Sequence, residues 1–132
     1  MAAKWNGGWD VGYVLVIDDE RMIRELLKKA LGRLDYVVDT AESASGGIRK
    51  FDQGFYDLVI TDVRMPGVDG HSVLNHIRHS ERDSTPVIGV SGTPRLLQNG
   101  KFDDVLHKPF SMNALIEKVT YLTATKLRSK TA

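Results

Sequence analysis

Five polar residues stand directly after short apolar runs. Asp18 and Asp19 follow YVLVI (residues 13–17), Asp62 closes the run in YDLVITDVRMPGVDG (residues 56–70), Ser91 follows PVIGV (residues 86–90), and Lys108 follows DVLH (residues 104–107). Three carboxylates brought within a few ångströms repel one another, so they hold a proton or bind a cation. Oxygen ligands with no cysteine, and only His107 near a run's end, suit a hard divalent ion: Mg2+, with Mn2+ as the alternative. Asp19 and Asp62 are the first ligand candidates, with Asp18 bound directly or through water. A divalent ion beside the Lys108 ammonium and the Ser91 hydroxyl makes a pocket for a dianionic phosphoryl group, which a carboxylate could attack in line. Aspartate is an established nucleophile for such transfers, and Asp62, central among the five, is the natural one.

Each residue alone has a blander meaning. An Asp at a strand end is more often a turn or cap residue, Ser91 before Gly92 is a common loop pair, and Lys108 before Pro109 says little. The inference rests on the five arriving together, which depends on the elements that carry them.

The apolar runs alternate with amphipathic stretches. Residues 13–17 read as a central strand covered on both faces. Met22, Ile23, Leu26, Leu27, Ala30, Leu31 and Leu34 then recur at spacings of three and four, with Arg24, Glu25, Lys28 and Lys29 between them, a helix. Residues 36–38 form a short second strand, and residues 43–51 a weaker helix in which Gly46 and Gly47 each cost roughly 1 kcal/mol relative to Ala. Residues 58–62 are the third strand, and Val73, Leu74 and Ile77 mark the next helix. The fourth strand runs to Ser91, residues 94–100 have room for about two helical turns, a fifth strand begins at Asp104, and Met112, Leu115, Ile116, Val119 and Leu122 form a last helix behind the N-cap Ser111. Five strands alternating with helices imply an α/β fold, a doubly wound parallel sheet whose functional groups gather outside the carboxyl ends of its strands.

The composition permits this. The 132 residues suffice for one domain, 42% are hydrophobic, and 18 Lys and Arg against 17 Asp and Glu leave a charge of +1, so nothing global argues for nucleic acid. The apolar runs fall short of the roughly 20 residues that span a bilayer, and the first residues lack a secretion signal, so no membrane is expected and the cytoplasm is the default. Residues 1–11 read as an N-terminal extension, disordered, docking or an expression remnant, residues 12–127 as the domain, and residues 128–132 as a solvated basic tail.

Read together, VLVIDDE (14–20), DLVITDVRMPGVDG (57–70), PVIGVSG (86–92) and DDVLHKPF (103–110) resemble the receiver domain of two-component response regulators, in order and spacing across nearly the whole chain. The resemblance implies a flavodoxin-like (βα)5 fold with strand order 2-1-3-4-5. It implies phosphorylation of Asp62 by a histidine kinase or histidine phosphotransfer protein, a metal pair in Asp18 and Asp19, and a metal contact from the Arg64 backbone carbonyl. Ser91 becomes the hydroxyl that follows phosphorylation, Lys108 the phosphate contact, and the Lys108–Pro109 peptide is expected to be cis. Self-phosphorylation from small phosphodonors and autodephosphorylation are the only enzymatic activities implied. Two departures stand out: Val105 occupies a position where many members carry Tyr or Phe, and Ser91 and Lys108 lie 17 residues apart, closer than is usual, which shortens the fourth helix.

The expected output is a change of contacts with a downstream protein or a fused effector domain, with no direct nucleic-acid binding by this domain. Excision from a multidomain regulator or hybrid kinase is favoured over a stand-alone regulator, because the basic tail resembles a severed linker. A phosphorylation-independent interaction domain is the rival reading, supported by Val105. A haloacid-dehalogenase-type phosphatase wants a second Asp where Arg64 stands, and an FMN site wants a phosphate loop where Asp18 and Asp19 stand. His71, His76 and His79 read as solvated surface residues, and His107 as without chemistry.

Overall fold

The computed structural model describes the backbone of residues 5–6, 9–10, 12–67, 69–98 and 101–131, and the side chains of those from 12 to 124. Five strands form one parallel sheet: β1 Tyr13–Ile17, β2 Val37–Ala41, β3 Leu58–Asp62, β4 Val87–Ser91 and β5 Asp104–His107, in the order β2-β1-β3-β4-β5. Between and after them come α1 Arg21–Gly32, α2 Ala44–Gln53, α3 Gly70–Arg78, α4 Arg95–Gln98 and α5 Met112–Thr131. Ahead of the sheet, Trp5–Asn6 pairs antiparallel with Trp9–Asp10 in a stretch whose sequence shows no period. The side chains of both tryptophans and of the basic residues 126, 128 and 130 lie outside those described, and the backbone of α5 stays helical to Thr131, within the segment read as a tail.

Successive strand residues point to opposite faces, which splits the core in two. Val14, Val16, Leu58, Ile60, Ile88 and Val90 meet Leu27, Leu31, Leu115 and Val119 from α1 and α5. Leu15, Ile17, Val59 and Val87 meet Phe51, Val73 and Ile77 from α2 and α3. Covered on both faces, β1, β3 and β4 read in sequence as unbroken apolar runs. Among the described residues, no helix is long and apolar enough to cross a membrane.

The face that α1 buries differs from the stripe read in the sequence. Leu27 and Leu31 are buried, Ile23 and Ala30 flank them, but Met22 is 82% exposed and Leu26 46%. At about 100° per residue, Met22 lies roughly 140° from Leu27 around the helix, whereas Arg24 lies roughly 60° from it. Arg24 therefore shares the inward side, and its side chain is only 15% exposed. Leu34 lies beyond the end of the helix, in a turn that Asp35 completes at φ 69°.

The second strand begins one residue later than expected and runs to Ala41, and α4 has four residues instead of two turns. Ser43 caps α2, its hydroxyl accepting from the Gly46 N–H at 3.1 Å. Gly47 is required by packing: a Cβ there would overlap Cδ1 of the fully buried Ile17. The helix thus approaches β1 closely because Gly47 has no side chain. Gly47→Ala is expected to lower stability by about 1–3 kcal/mol through overpacking, despite alanine's better helix propensity; urea denaturation measures the balance, and a stabilised variant would show that the helix backs away at no cost.

Candidate functional site

Parallel register decides which residues meet. Ile17 pairs with Thr61, Asp62 with Val90, and Ser91 with His107, so the residues that follow each strand emerge along one edge. Asp18, Asp19 and Asp62 each bring a carboxylate oxygen to within 4.8 Å of the others. Asp18 and Asp62 are 2% and 5% exposed, and Asp19 faces solvent. Lys108 reaches across the edge: its Nζ lies 3.3 Å from Asp18 Oδ2, 3.5 Å from Asp62 Oδ2 and 3.3 Å from Glu20 Oε1. The peptide that follows it, Lys108–Pro109, is cis.

Backbone groups hold the carboxylates in place. The Asp18 N–H donates to the Ala41 carbonyl at 3.0 Å, its carbonyl accepts from Arg24 Nη1 at 2.8 Å, and its Oδ1 accepts from the Glu20 N–H at 2.8 Å. Asp18 therefore fulfils the turn role its type suggests while its other oxygen faces Lys108. Asp62 Oδ1 accepts a long bond, 3.4 Å, from the N–H of the exposed Arg64. Behind Asp62, α3 sits directly on the loop: a Cβ on Gly70 would overlap the Asp62 carbonyl oxygen, and the Gly70 N–H donates to the Val63 carbonyl at 3.0 Å. The Asp69 carboxylate caps that helix through the N–H groups of His71 and Ser72.

Ser91 arrives at the same edge with its hydroxyl engaged elsewhere. It accepts from the Thr93 N–H at 3.0 Å and donates to the Thr93 carbonyl at 3.3 Å. The structure thus joins Asp18, Asp19, Asp62 and Lys108 in one cluster, and places Ser91 beside them, bonded to its own loop. Val105, half-buried on β5, pairs with Gly89 of β4.

The electrostatics follow from burial and crowding. Desolvation, then repulsion from Asp18, pushes the Asp62 carboxyl up to about 6, against the pull of Lys108. Burial likewise raises Asp18, countered by the Glu20 N–H and by Lys108. Burial works against the Lys108 ammonium, yet Asp18 and Asp62, with hydrogen bonds to Asp18 and Glu20, more than offset it, and its pKa lies above the ordinary lysine value. When all are ionised, three carboxylates and one ammonium leave two net negative charges. An oxygen-only donor set with that surplus fits a hard divalent cation. Among the described residues these three aspartates are the one group of His, Cys, Asp and Glu with metal-binding proximity.

Three participants escaped the sequence reading. Glu20 shares Lys108, Thr93 holds Ser91, and Arg24 bonds the Asp18 carbonyl. Only Arg24 left a signal, being charged at a position three and seven residues before Leu27 and Leu31. His71 and His76 are half-buried and more engaged than solvated residues would be, while His79 is exposed. His71 Nε2 lies 2.7 Å from the Leu96 carbonyl with its ring 5.5 Å from that of Phe102, His76 Nε2 lies 2.8 Å from Asp52 Oδ1, and His79 Nδ1 lies 2.8 Å from the Asn75 carbonyl. His71 and His76 thus join α3 to α4 and α2, while His79 bonds back onto α3 itself; His107 is exposed.

Because the folded-state pKa of Asp62 lies above its ordinary 3.8, the unfolded chain releases this proton first as pH rises, and stability is lost between about pH 4 and pH 6. In metal-free protein, Asp62→Asn is therefore expected to raise stability at pH 7 by about 1–3 kcal/mol, with the gain fading below about pH 5. Denaturant melts at both pH values test this; equal stability of the two proteins at pH 7 would refute the strained carboxylate.

Against known proteins, the family model of the response regulator receiver domain matches residues 14–120. The transcriptional regulatory protein ResD of Bacillus subtilis is 36% identical over 114 residues, which are 83% of this chain and 47% of ResD. The sensor histidine kinase RcsC of Escherichia coli is 32% identical over 113 residues, 81% of this chain and 12% of RcsC. The chain spans about half the length of the first curated relatives it matches. Among solved structures, the response regulator TrrA of Thermotoga maritima in complex with Mg2+ and BeF superposes with a TM-score of 0.77 at 37% identity, covering 85% of this chain and 99% of that one.

Proposed function

We propose, from the premise that the chain belongs to the response regulator receiver domain family, that Asp62 accepts a phosphoryl group from a phosphohistidine on a histidine kinase or histidine phosphotransfer protein. The observation that carries this reading is the Lys108 ammonium set between Asp18 and Asp62, 3.3 and 3.5 Å away, at a buried edge with surplus negative charge. An Asp62 oxygen attacks phosphorus as the P–N bond to the imidazole breaks, giving an acyl phosphate and a neutral histidine once the ring regains its proton.

Asp18, Asp19 and Asp62, with the Arg64 carbonyl, would hold Mg2+, with Mn2+ as a substitute. The bound ion supplies neutralisation of the phosphoryl oxygens and so lets the acids and the incoming anion coexist. Lys108 is poised to leave Asp18 and Glu20 for a phosphoryl oxygen. Ser91 must release Thr93 to donate to another, which loosens the segment leading into α4. That release is the change a partner reads, and Val105, with no ring to turn inward, gives the domain less to transmit through β5.

Met22 and Leu26, exposed at the start of α1 just past the acidic turn, offer apolar surface beside the site for the phosphodonor protein to cover. The domain would act in the cytoplasm, where the phosphodonor is charged from ATP. Its output runs through an effector or kinase domain of the same polypeptide or through a separate protein, with no nucleic-acid contact of its own.

Millimolar Mg2+ is expected to raise the melting temperature of the wild type, since it binds the folded cluster and not the unfolded chain. Acetyl phosphate with Mg2+ should add one phosphoryl group by intact mass, and Asp62→Asn should add none. Equal labelling of the variant would move the acceptor to another residue.

A further inference from the structure

We infer that Arg24 is a positioning residue for the metal site: its guanidinium fixes the peptide between Asp18 and Asp19 and thereby aims the two acids that would bind the cation. This rests on the metal-site reading above and assigns a residue outside the carboxylate cluster.

The chain leaves β1 at Asp18. The last sheet bond made there is from the Asp18 N–H to the Ala41 carbonyl. The Asp18 carbonyl belongs to a residue 2% exposed, and a buried carbonyl needs a donor. Arg24, six residues on, reaches back from the first turns of α1 and donates through Nη1 at 2.8 Å. Its position on the inward side of α1, with Leu27 and Leu31, costs a charged residue much of its solvent. Its other charged neighbour, Glu42, lies 4.0 Å from Nη2 and is 81% exposed, too distant and too solvated to account for that placement. The carbonyl is therefore the anchor.

Both sides of the Asp18 backbone are then held, the N–H by β2 and the carbonyl by Arg24. The plane of the Asp18–Asp19 peptide is fixed, and with it the direction in which the exposed Asp19 leaves the turn. Asp18 is pinned further through its own side chain by the Glu20 N–H and Lys108. Asp19 is placed by the peptide plane, so the anchor matters most to the ligand that faces solvent.

Electrostatics and positioning make opposite predictions here. A guanidinium beside a cation site repels the cation, so removing the charge alone would tighten Mg2+ binding. Removing a positioning contact weakens it. Arg24→Met, which keeps the apolar stem, is expected to weaken Mg2+ affinity about 10-fold, the scale seen when partners behind metal ligands are lost. Acetyl phosphate labelling should slow strongly at low Mg2+ and largely recover at saturating Mg2+. Arg24→Lys, with one donor group and the charge retained, should fall between the two. Arg21→Met, on the same helix with its side chain 81% exposed, should bind Mg2+ as the wild type does.

Affinity is read from the Mg2+ dependence of the melting temperature. Weaker binding in both Arg24 variants supports the assignment. Unchanged or tighter binding in Arg24→Met, whatever its metal-free melting temperature, overturns it. Should Arg24→Met not fold, wild-type affinity in Arg24→Lys overturns it as well. A wild type that shows no Mg2+ response would instead sink the metal-site reading, and the two failures are thereby distinguished.

Discussion

Repulsion among the carboxylates at the carboxyl edge of the sheet is the constraint on which the rest of this structure turns. Two unit charges about 4 Å apart in surroundings of intermediate dielectric interact on the order of 4 kcal/mol, comparable to a large share of a small domain's stability. The structure meets this with one ammonium, shared among Asp18, Glu20 and Asp62. That is not enough to neutralise the edge. Burial first, and then this residual repulsion, raise the pKa of Asp62, and an edge short of positive charge is suited to a cation.

Keeping such a cluster together needs a rigid frame. Parallel pairing of β1, β3 and β4 aligns the strand ends, and the two-faced core fixes those strands against α1 and α5 on one side and α2 and α3 on the other. The close approaches do the finer work: Gly47 lets α2 lie against Ile17, one residue before the acidic turn, and Gly70 lets α3 lie on the Asp62 carbonyl. A displacement at either place would carry a carboxylate with it.

The edge is also connected to α4 by two routes. Ser91 holds Thr93, whose carbonyl accepts from the Leu96 N–H at 3.0 Å in the turn that starts α4. His71, next to Gly70, lies 2.7 Å from the Leu96 carbonyl and packs against Phe102, whose ring in turn lies over Gly89 of β4. The short α4 therefore takes its position from the start of α3 and from the loop that follows β4.

The amino-acid sequence alone determined the strand-helix alternation, the sheet edge at which the acids gather, and the identity of Asp18, Asp19, Asp62, Ser91 and Lys108, because apolar runs ending in charge are visible without coordinates. Tertiary structure decided which faces and partners those residues use. Met22 and Leu26 look like core by spacing and stand outside, while Arg24 looks like surface and turns inward, since the angle at which α1 meets the sheet is set by its neighbours. Gly47 looks like a weakness in a helix and is a packing requirement. The partnerships of Lys108 with Glu20, Ser91 with Thr93 and His71 with Leu96 could not be read in advance, because they depend on loop paths and on distances of a few ångströms that no residue spacing encodes.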